Sequence, residues 1–97
     1  MKFEWDERKN RSNVEKHGVS FETAIGIFSG PVFTRTDDRF DYGEVRENSI
    51  GRIGRALLLL VTHTDRNGRT RVISARPAKR NERERYEEAL RERTERR

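Results

Sequence analysis

Six basic side chains, Arg71, Arg76, Lys79, Arg80, Arg83 and Arg85, crowd into the stretch RVISARPAKRNERERY, which begins as a β-strand and ends as a helix. Arginine carries a planar fork that grips phosphate or carboxylate through two parallel hydrogen bonds. Three readings fit such a cluster: a solvated surface, a partner protein, or a polyanion. Arg76 has the most defined setting. It ends a strand, Pro77 holds it extended, and it lies where a phosphate could approach the N-terminus of the following helix. Lys79, Arg80 and Arg83 fall on the first turns of that helix, where cations oppose the macrodipole and an anionic ligand would relieve the conflict.

Other groups suited to chemistry are scattered. Arg52 shares a strand face with Ile50, Asn48 and Arg46, which makes that face either the wall of a site or the wet side of an edge strand. His63 continues the face of Leu57, Leu59 and Val61, and reads as a satisfied histidine at the core rim or as a general acid or base. His17 precedes Gly18 at a helix C-terminus, where imidazolium is favoured and capping is its simplest role. The chain has no cysteine, so disulfides, thiolate metal sites and cysteine nucleophiles are excluded. Two histidines and scattered acids form no zinc or calcium pattern. No nucleophile-elbow motif surrounds Ser12, Ser20, Ser29, Ser49 or Ser74. No cofactor is expected.

The elements that position these residues follow from patterning. KFEW is a short strand, and Asp6 caps a polar helix through ERKNRSNVEKH that Gly18 ends, with Asn10, Val14 and His17 as its contact stripe. Ser20 caps a second helix, FETAIGIFS, whose apolar face is Phe21, Ala24, Ile25 and Phe28. VFTRT is a strand, and DDRFDYGE a mobile polar loop with an aromatic on each side of Asp41. Residues 45 to 76 form an antiparallel meander, turning at Gly54-Arg55 and at Asn67-Gly68 around a central ALLLLVTHT strand apolar on both faces. AKRNERERYEEALRERTERR is a helix docked by Tyr86, with residues 91–97 a frayed tail because nothing apolar follows Leu90.

At 97 residues the chain is one domain, residues 1–97, of α+β class. Only 31% of residues are hydrophobic and 40% are charged, so the core is thin and help from a partner is expected. The net charge of +5 favours an anionic partner. No segment has signal-peptide character or bilayer-spanning length, which points to a cytoplasmic protein without membrane contact.

FEWDERKNRSNVEKHGVSFETA at the start, IGR at 50 to 52 and VISARPAKRNERERYE near the end together resemble the BrnT family of type II toxins, in the same order from residue 3 to about 87. The resemblance implies a RelE/ParE-like fold, with N-terminal helices packed on an antiparallel sheet and a charged C-terminal helix. It also implies a ribonuclease that inhibits translation and growth, neutralised by a BrnA-like antitoxin of ribbon-helix-helix type. Operator DNA would be contacted only through the toxin–antitoxin complex. Metal-independent RNA cleavage then needs a base for the 2′-hydroxyl, cations for the phosphorane and an acid for the leaving oxygen. Arg76, Arg80, Arg52 and His63 are the catalytic candidates, with Lys79, Arg83, Arg71, Lys9 and His17 as RNA contacts, and Trp5 as core or antitoxin contact. A gyrase poison like ParE and a non-catalytic nucleic-acid-binding module are the alternatives.

Overall fold

A computed structural model of the chain describes residues 1–38 and 43–95; Arg39 to Tyr42 of the expected polar loop, and Arg96 and Arg97, lie outside the described residues. Asp6 starts the first helix, α1 (Glu7–His17), by accepting from the N–H groups of Arg8 and Lys9 at 2.8 and 3.3 Å. Gly18, at φ 71°, ends it, its N–H donating to Val14 O.

Of the stripe expected to dock α1, the structure keeps Asn10 and corrects Val14 and His17. Val14 is 43% exposed and His17 is exposed, whereas Asn10 and Asn13 are buried. A helix this polar has too little apolar surface to dock, and it docks by side-chain amides instead. Asn13 Nδ2 donates to Val19 O at 2.8 Å and to Ala75 O at 2.7 Å, while Asn13 Oδ1 accepts from Ala75 N–H at 3.1 Å. Asn10 Oδ1 accepts from Phe21 N–H at 2.8 Å and its Nδ2 donates to Glu22 at 2.7 Å.

Ser20 caps the next helix, whose α-helical part α2 (Phe21–Ala24) tightens into a 3-10 turn over Ile25–Ser29. The tightening changes the buried face. At about three residues per turn the inward positions become Phe21, Ala24 and Ile27, each fully buried. Ile25 and Phe28, expected on that face, pack at its margin. Gly51 makes the fit possible, because a Cβ there would stand 2.6 Å from Ile27 Cβ.

The remaining elements are β1 (Phe3–Glu4), β2 (Phe33–Asp37), β3 (Arg46–Ile53), β4 (Leu57–Arg66), β5 (Arg69–Pro77) and α3 (Arg80–Glu95). The strands form one sheet in the order β1-β5-β4-β3-β2, with β4 in the centre as its two-sided apolar sequence requires. The β3-β4-β5 meander is antiparallel, and Asn67 and Gly68 make its second turn at φ 54° and 77°. β1 runs parallel to β5, pairing Phe3 with Thr70 and Glu4 with Arg71. The sheet is therefore mixed and not purely antiparallel: β1 returns to its partner through the whole intervening chain, and a crossover of that length permits parallel pairing.

Alternation gives the sheet two unlike faces. On the helical face Leu59, Val61, Val72 and Ala75 pack with Val19, Phe21, Ala24 and Ile27, and Phe3, Trp5 and Phe28 join the margin. On the other face Ile50, Leu58 and Leu60 pack under Tyr86, with Leu90 and Ala78 beside them. Tyr86 is 1% exposed and its hydroxyl donates to Pro31 O at 3.0 Å, so it docks α3 as expected. Arg93 adds a bond to Val32 O at 2.9 Å.

Asn13→Ala should lower the unfolding free energy by about 3 kcal/mol or more, since it strips buried backbone groups of Ala75 and Val19 of partners at roughly 1–3 kcal/mol each. Asn13→Asp should not rescue it, because an oxygen would replace the donor that faces two carbonyls. Urea denaturation of the two variants measures this; a loss under ~1 kcal/mol for Asn13→Ala would contradict the role.

Candidate active site

Tyr86 and Leu90 cover only part of the second sheet face, and beside α3 the rest opens into a cleft of about 540 Å³. Strand register builds its floor in cross-strand rows. One row runs Phe33, Ile50, Leu60, Arg76, from β2 to β5. The next runs Arg35, Asn48, Thr62, Ser74, and both rows line the cleft. Asp37 and Asp38 close the β2 end, and Glu82 and Arg85 of α3 form the roof edge.

Arg76 occupies the position its alternation dictates. Ala75 turns into the helical core, so Arg76 must face the cleft. There its two terminal nitrogens grip Glu82 at 2.8 and 2.9 Å. Glu82 Oε1 also accepts from Lys79 N–H at 2.7 Å, the reciprocal half of a capping box. The Arg76 guanidinium, seconded by the Lys79 N–H, holds the Glu82 carboxyl below its ordinary value against the effect of burial. The anion that the cation-rich helix start calls for is thus the chain's own carboxylate, where the sequence suggested an external ligand.

The other expected site residues are not gathered here. Lys79, just before α3, and Arg80 and Arg83, on its first turn, are exposed, and Arg80 pairs with Glu84 at 3.4 Å on the solvent side. Arg71 is tied to Glu4 at 2.7 Å, bracing β1 on β5. Arg52 shares the sheet face of Ile50 but sits beyond the apolar row, its guanidinium 6.0 Å from the Tyr86 ring centre and donating to Arg55 O at 2.7 Å. Lys9 and His17 are exposed on α1. His63 lies on the helical face: it is 7% exposed, edge-on to Phe28 at 5.3 Å, with Nε2 2.7 Å from Ser49 Oγ, which in turn is 2.7 Å from Thr34 Oγ1. The sheet separates it from Arg76. Trp5 packs edge-on to Phe21 at 6.1 Å at the core margin.

Sequence reasoning missed Arg35, Arg85 and Glu82 as members of the cleft. Glu82 and Arg85 were within reach: counting back from Tyr86 by four residues gives Glu82, and Arg85, three residues after Glu82, shares its helix face at the exposed rim of the cleft. Arg35 required the β2-β3 register, which the sequence does not show. Among the described residues no group of three or more histidine, aspartate and glutamate side chains is placed to hold a metal ion. No helix among them is long and apolar enough to cross a membrane.

Residues 5–82, spanning both N-terminal helices, strands β2 to β5 and the Arg76–Glu82 pair, match the family described as the ribonuclease toxin, BrnT, of type II toxin-antitoxin systems. The chain belongs to the BrnT toxin family. Its fold is similar to the crystal structure of the Brucella abortus ribonuclease toxin, BrnT, with a TM-score of 0.62 and 29% sequence identity over 82% of this chain and 99% of that one. A comparison with curated proteins finds no match. Membership of a type II toxin family implies an antitoxin partner. The α+β fold with its five-stranded mixed sheet is that of a BrnT toxin.

Burial pushes the His63 imidazole below its ordinary value of 6.5, and Glu47 and Asp65 pull weakly the other way. The folded protein therefore favours neutral His63, and the unfolded chain takes up the proton first. Stability from this site is complete above pH 6.5 and is lost as pH falls below it toward the lowered folded value. Melting temperature should be flat above that pH and decline as the pH falls below it, and His63→Gln should flatten the decline. Thermal melts in a pH series test this; an identical slope in the variant would remove His63 as the cause.

Proposed function

We propose that this BrnT toxin cleaves RNA in the cleft between the sheet and α3, without a metal, by attack of a 2′-hydroxyl on the adjacent phosphate. The bond from phosphorus to the 5′-oxygen breaks, leaving a 2′,3′-cyclic phosphate on one product and a 5′-hydroxyl on the other. The observation that carries this reading is the meeting of Arg35, Arg76 and Arg85 around one concave surface floored by amide and hydroxyl groups. Arginines so placed stabilise the charge that develops on a phosphorane. Arg76 is the principal cation, because its strand position and the Glu82 grip fix its orientation in advance. Arg80 and Arg83, on the solvent side, steer the polyanion without touching the reacting phosphate. His63 maintains the core.

The cognate antitoxin, of ribbon-helix-helix type and BrnA-like, covers the same cleft with an acidic segment and carries the contact to operator DNA. Binding of that kind masks the arginines and adds buried area to a chain that is only 31% hydrophobic. Co-expression should raise the melting temperature by many degrees. An unchanged melting temperature, or failure to co-purify, would count against the arrangement.

Arg76→Ala should lower the single-turnover rate at saturating RNA roughly 100- to 1000-fold, the loss of about 3–4 kcal/mol expected for one oriented donor to the transition state. Arg76→Lys should recover part of it, since a point charge cannot restore a two-pronged contact. Cleavage by the wild type should persist in EDTA. A folded Arg76→Ala protein that cleaves at the wild-type rate, or a wild type halted by EDTA, would overturn the mechanism. Double-strand DNA breaks without RNA cleavage would favour the gyrase reading, and salt-sensitive RNA binding without turnover the non-catalytic one.

A further inference from the structure

The row Arg35, Asn48, Thr62, Ser74 is charged at its β2 end and neutral through its middle, and the Arg76 guanidinium stands beside its β5 end in the adjoining row. Cations at the two margins suit phosphates, which position a nucleic acid. Amide and hydroxyl groups between them suit base edges, which carry sequence information. The cleft volume of about 540 Å³ falls in the small-ligand range of ~300–1,000 Å³, and a base enters such a space only when it is unstacked, as in single-stranded RNA.

Asn48 is the reader in the middle of this row. Thr62 Oγ1 donates to Asn48 Oδ1 at 2.7 Å, which fixes the plane of the amide and engages its acceptor. Among the described residues Asn48 Nδ2 donates to no other group. An asparagine with both ends available reads adenine in two-pronged fashion; one whose oxygen is held by a threonine presents a donor alone. A lone donor set against the 4- or 6-position edge of a base is satisfied by the carbonyl oxygen of uracil or guanine there and opposed by the exocyclic amine of cytosine or adenine there.

We propose that Asn48, oriented by Thr62, forms a nucleobase subsite that prefers keto bases, uracil or guanine, over amino bases, cytosine or adenine, in single-stranded RNA. Asn48 is the specificity-determining residue and Thr62 a positioning residue. The inference rests on the ribonuclease reading of the same cleft and assigns to it a base preference.

The test measures binding of short 2′-O-methyl oligonucleotides, which lack the attacking hydroxyl, so affinity is read without turnover. Oligo-U should bind the wild type roughly 3- to 10-fold more tightly than oligo-C, the difference expected of one hydrogen bond that is made or opposed. Asn48→Asp replaces the donor by an acceptor and should erase or invert that ratio. Thr62→Val frees the amide to turn and should bring the ratio toward one while weakening total binding little. Equal affinity of the wild type for the two oligonucleotides overturns the subsite, as does a ratio unchanged in a folded Asn48→Asp protein. Base-selective binding in a protein that cleaves no RNA would leave the subsite intact and defeat the ribonuclease reading. RNA cleavage by a wild type with no U-over-C preference would do the reverse.

Discussion

One side-chain amide fixes the geometry on which the rest of this molecule depends. β1 pairs with β5 only at Thr70 and Arg71, so further along the same edge the backbone of Ala75 has no strand beside it. Asn13 acts there as a strand one residue long, accepting from the Ala75 N–H and donating to its carbonyl. The same nitrogen donates to Val19 O, so α1, the turn into α2 and β5 meet at a single group. A buried edge left unpaired would cost more than the apolar contacts of so polar a helix could return. The bond lies one residue before Arg76, and it sets which way Arg76 points: with Ala75 fully buried, the pleat has one remaining direction for its neighbour.

The two faces of the sheet divide the labour. The helical face holds most of the apolar side chains and accepts little charge, so His63 is kept neutral there by burial. The second face is apolar only along the row beneath Tyr86. This economy is why a chain with 40% charged residues still folds around a dry centre, and why the uncovered half of that face is available for a polar ligand. The cations on the cleft do not stand without counter-charge: Glu82, Asp37 and Asp38 line the same walls. Glu82 is the most constrained of them, since it begins α3 and aligns Arg76 with the same carboxylate. Helix placement and cation orientation are therefore one interaction seen from two sides.

Much of this was legible in the sequence. The Asn67-Gly68 turn, the central ALLLLV strand, the Ser20 cap and the docking role of Tyr86 each follow from a local rule, and each stands where that rule puts it. The strand-end position before Pro77 marks Arg76 as a site candidate, and it lines the cleft. What could not be read was long-range. The parallel pairing of KFEW, the opposition of Arg35 to Asn48 and the reach of Asn13 to a residue 62 positions away depend on register and docking, which no local pattern encodes. Val14 and His17 of the α1 stripe miss for a related reason: apolar periodicity finds helices that dock by apolar contact, and this one docks by the amides of Asn10 and Asn13. Alternation puts His63 on the Leu59 and Val61 face, and that face is the one turned away from Arg76.

The basic stretch from Arg71 to Arg85 is not one surface. A strand alternates and a helix turns by about 100° per residue, so residues close in sequence are dealt to different environments. Arg71 is used inside the fold against Glu4. Lys79, Arg80 and Arg83 remain in solvent, with Arg80 beside Glu84. Arg76 and Arg85 reach the cleft, where Arg35 joins them from β2, remote in sequence from both. The arginine density that first suggests a polyanion site thus overstates it locally and understates it globally: only two of those six basic residues line the concave surface, and the third cation comes from elsewhere. A site assembled this way takes its charge from the register of β2 on β3 and the start of α3 on β5, so a change that slipped either one would scatter the arginines while leaving the net charge untouched.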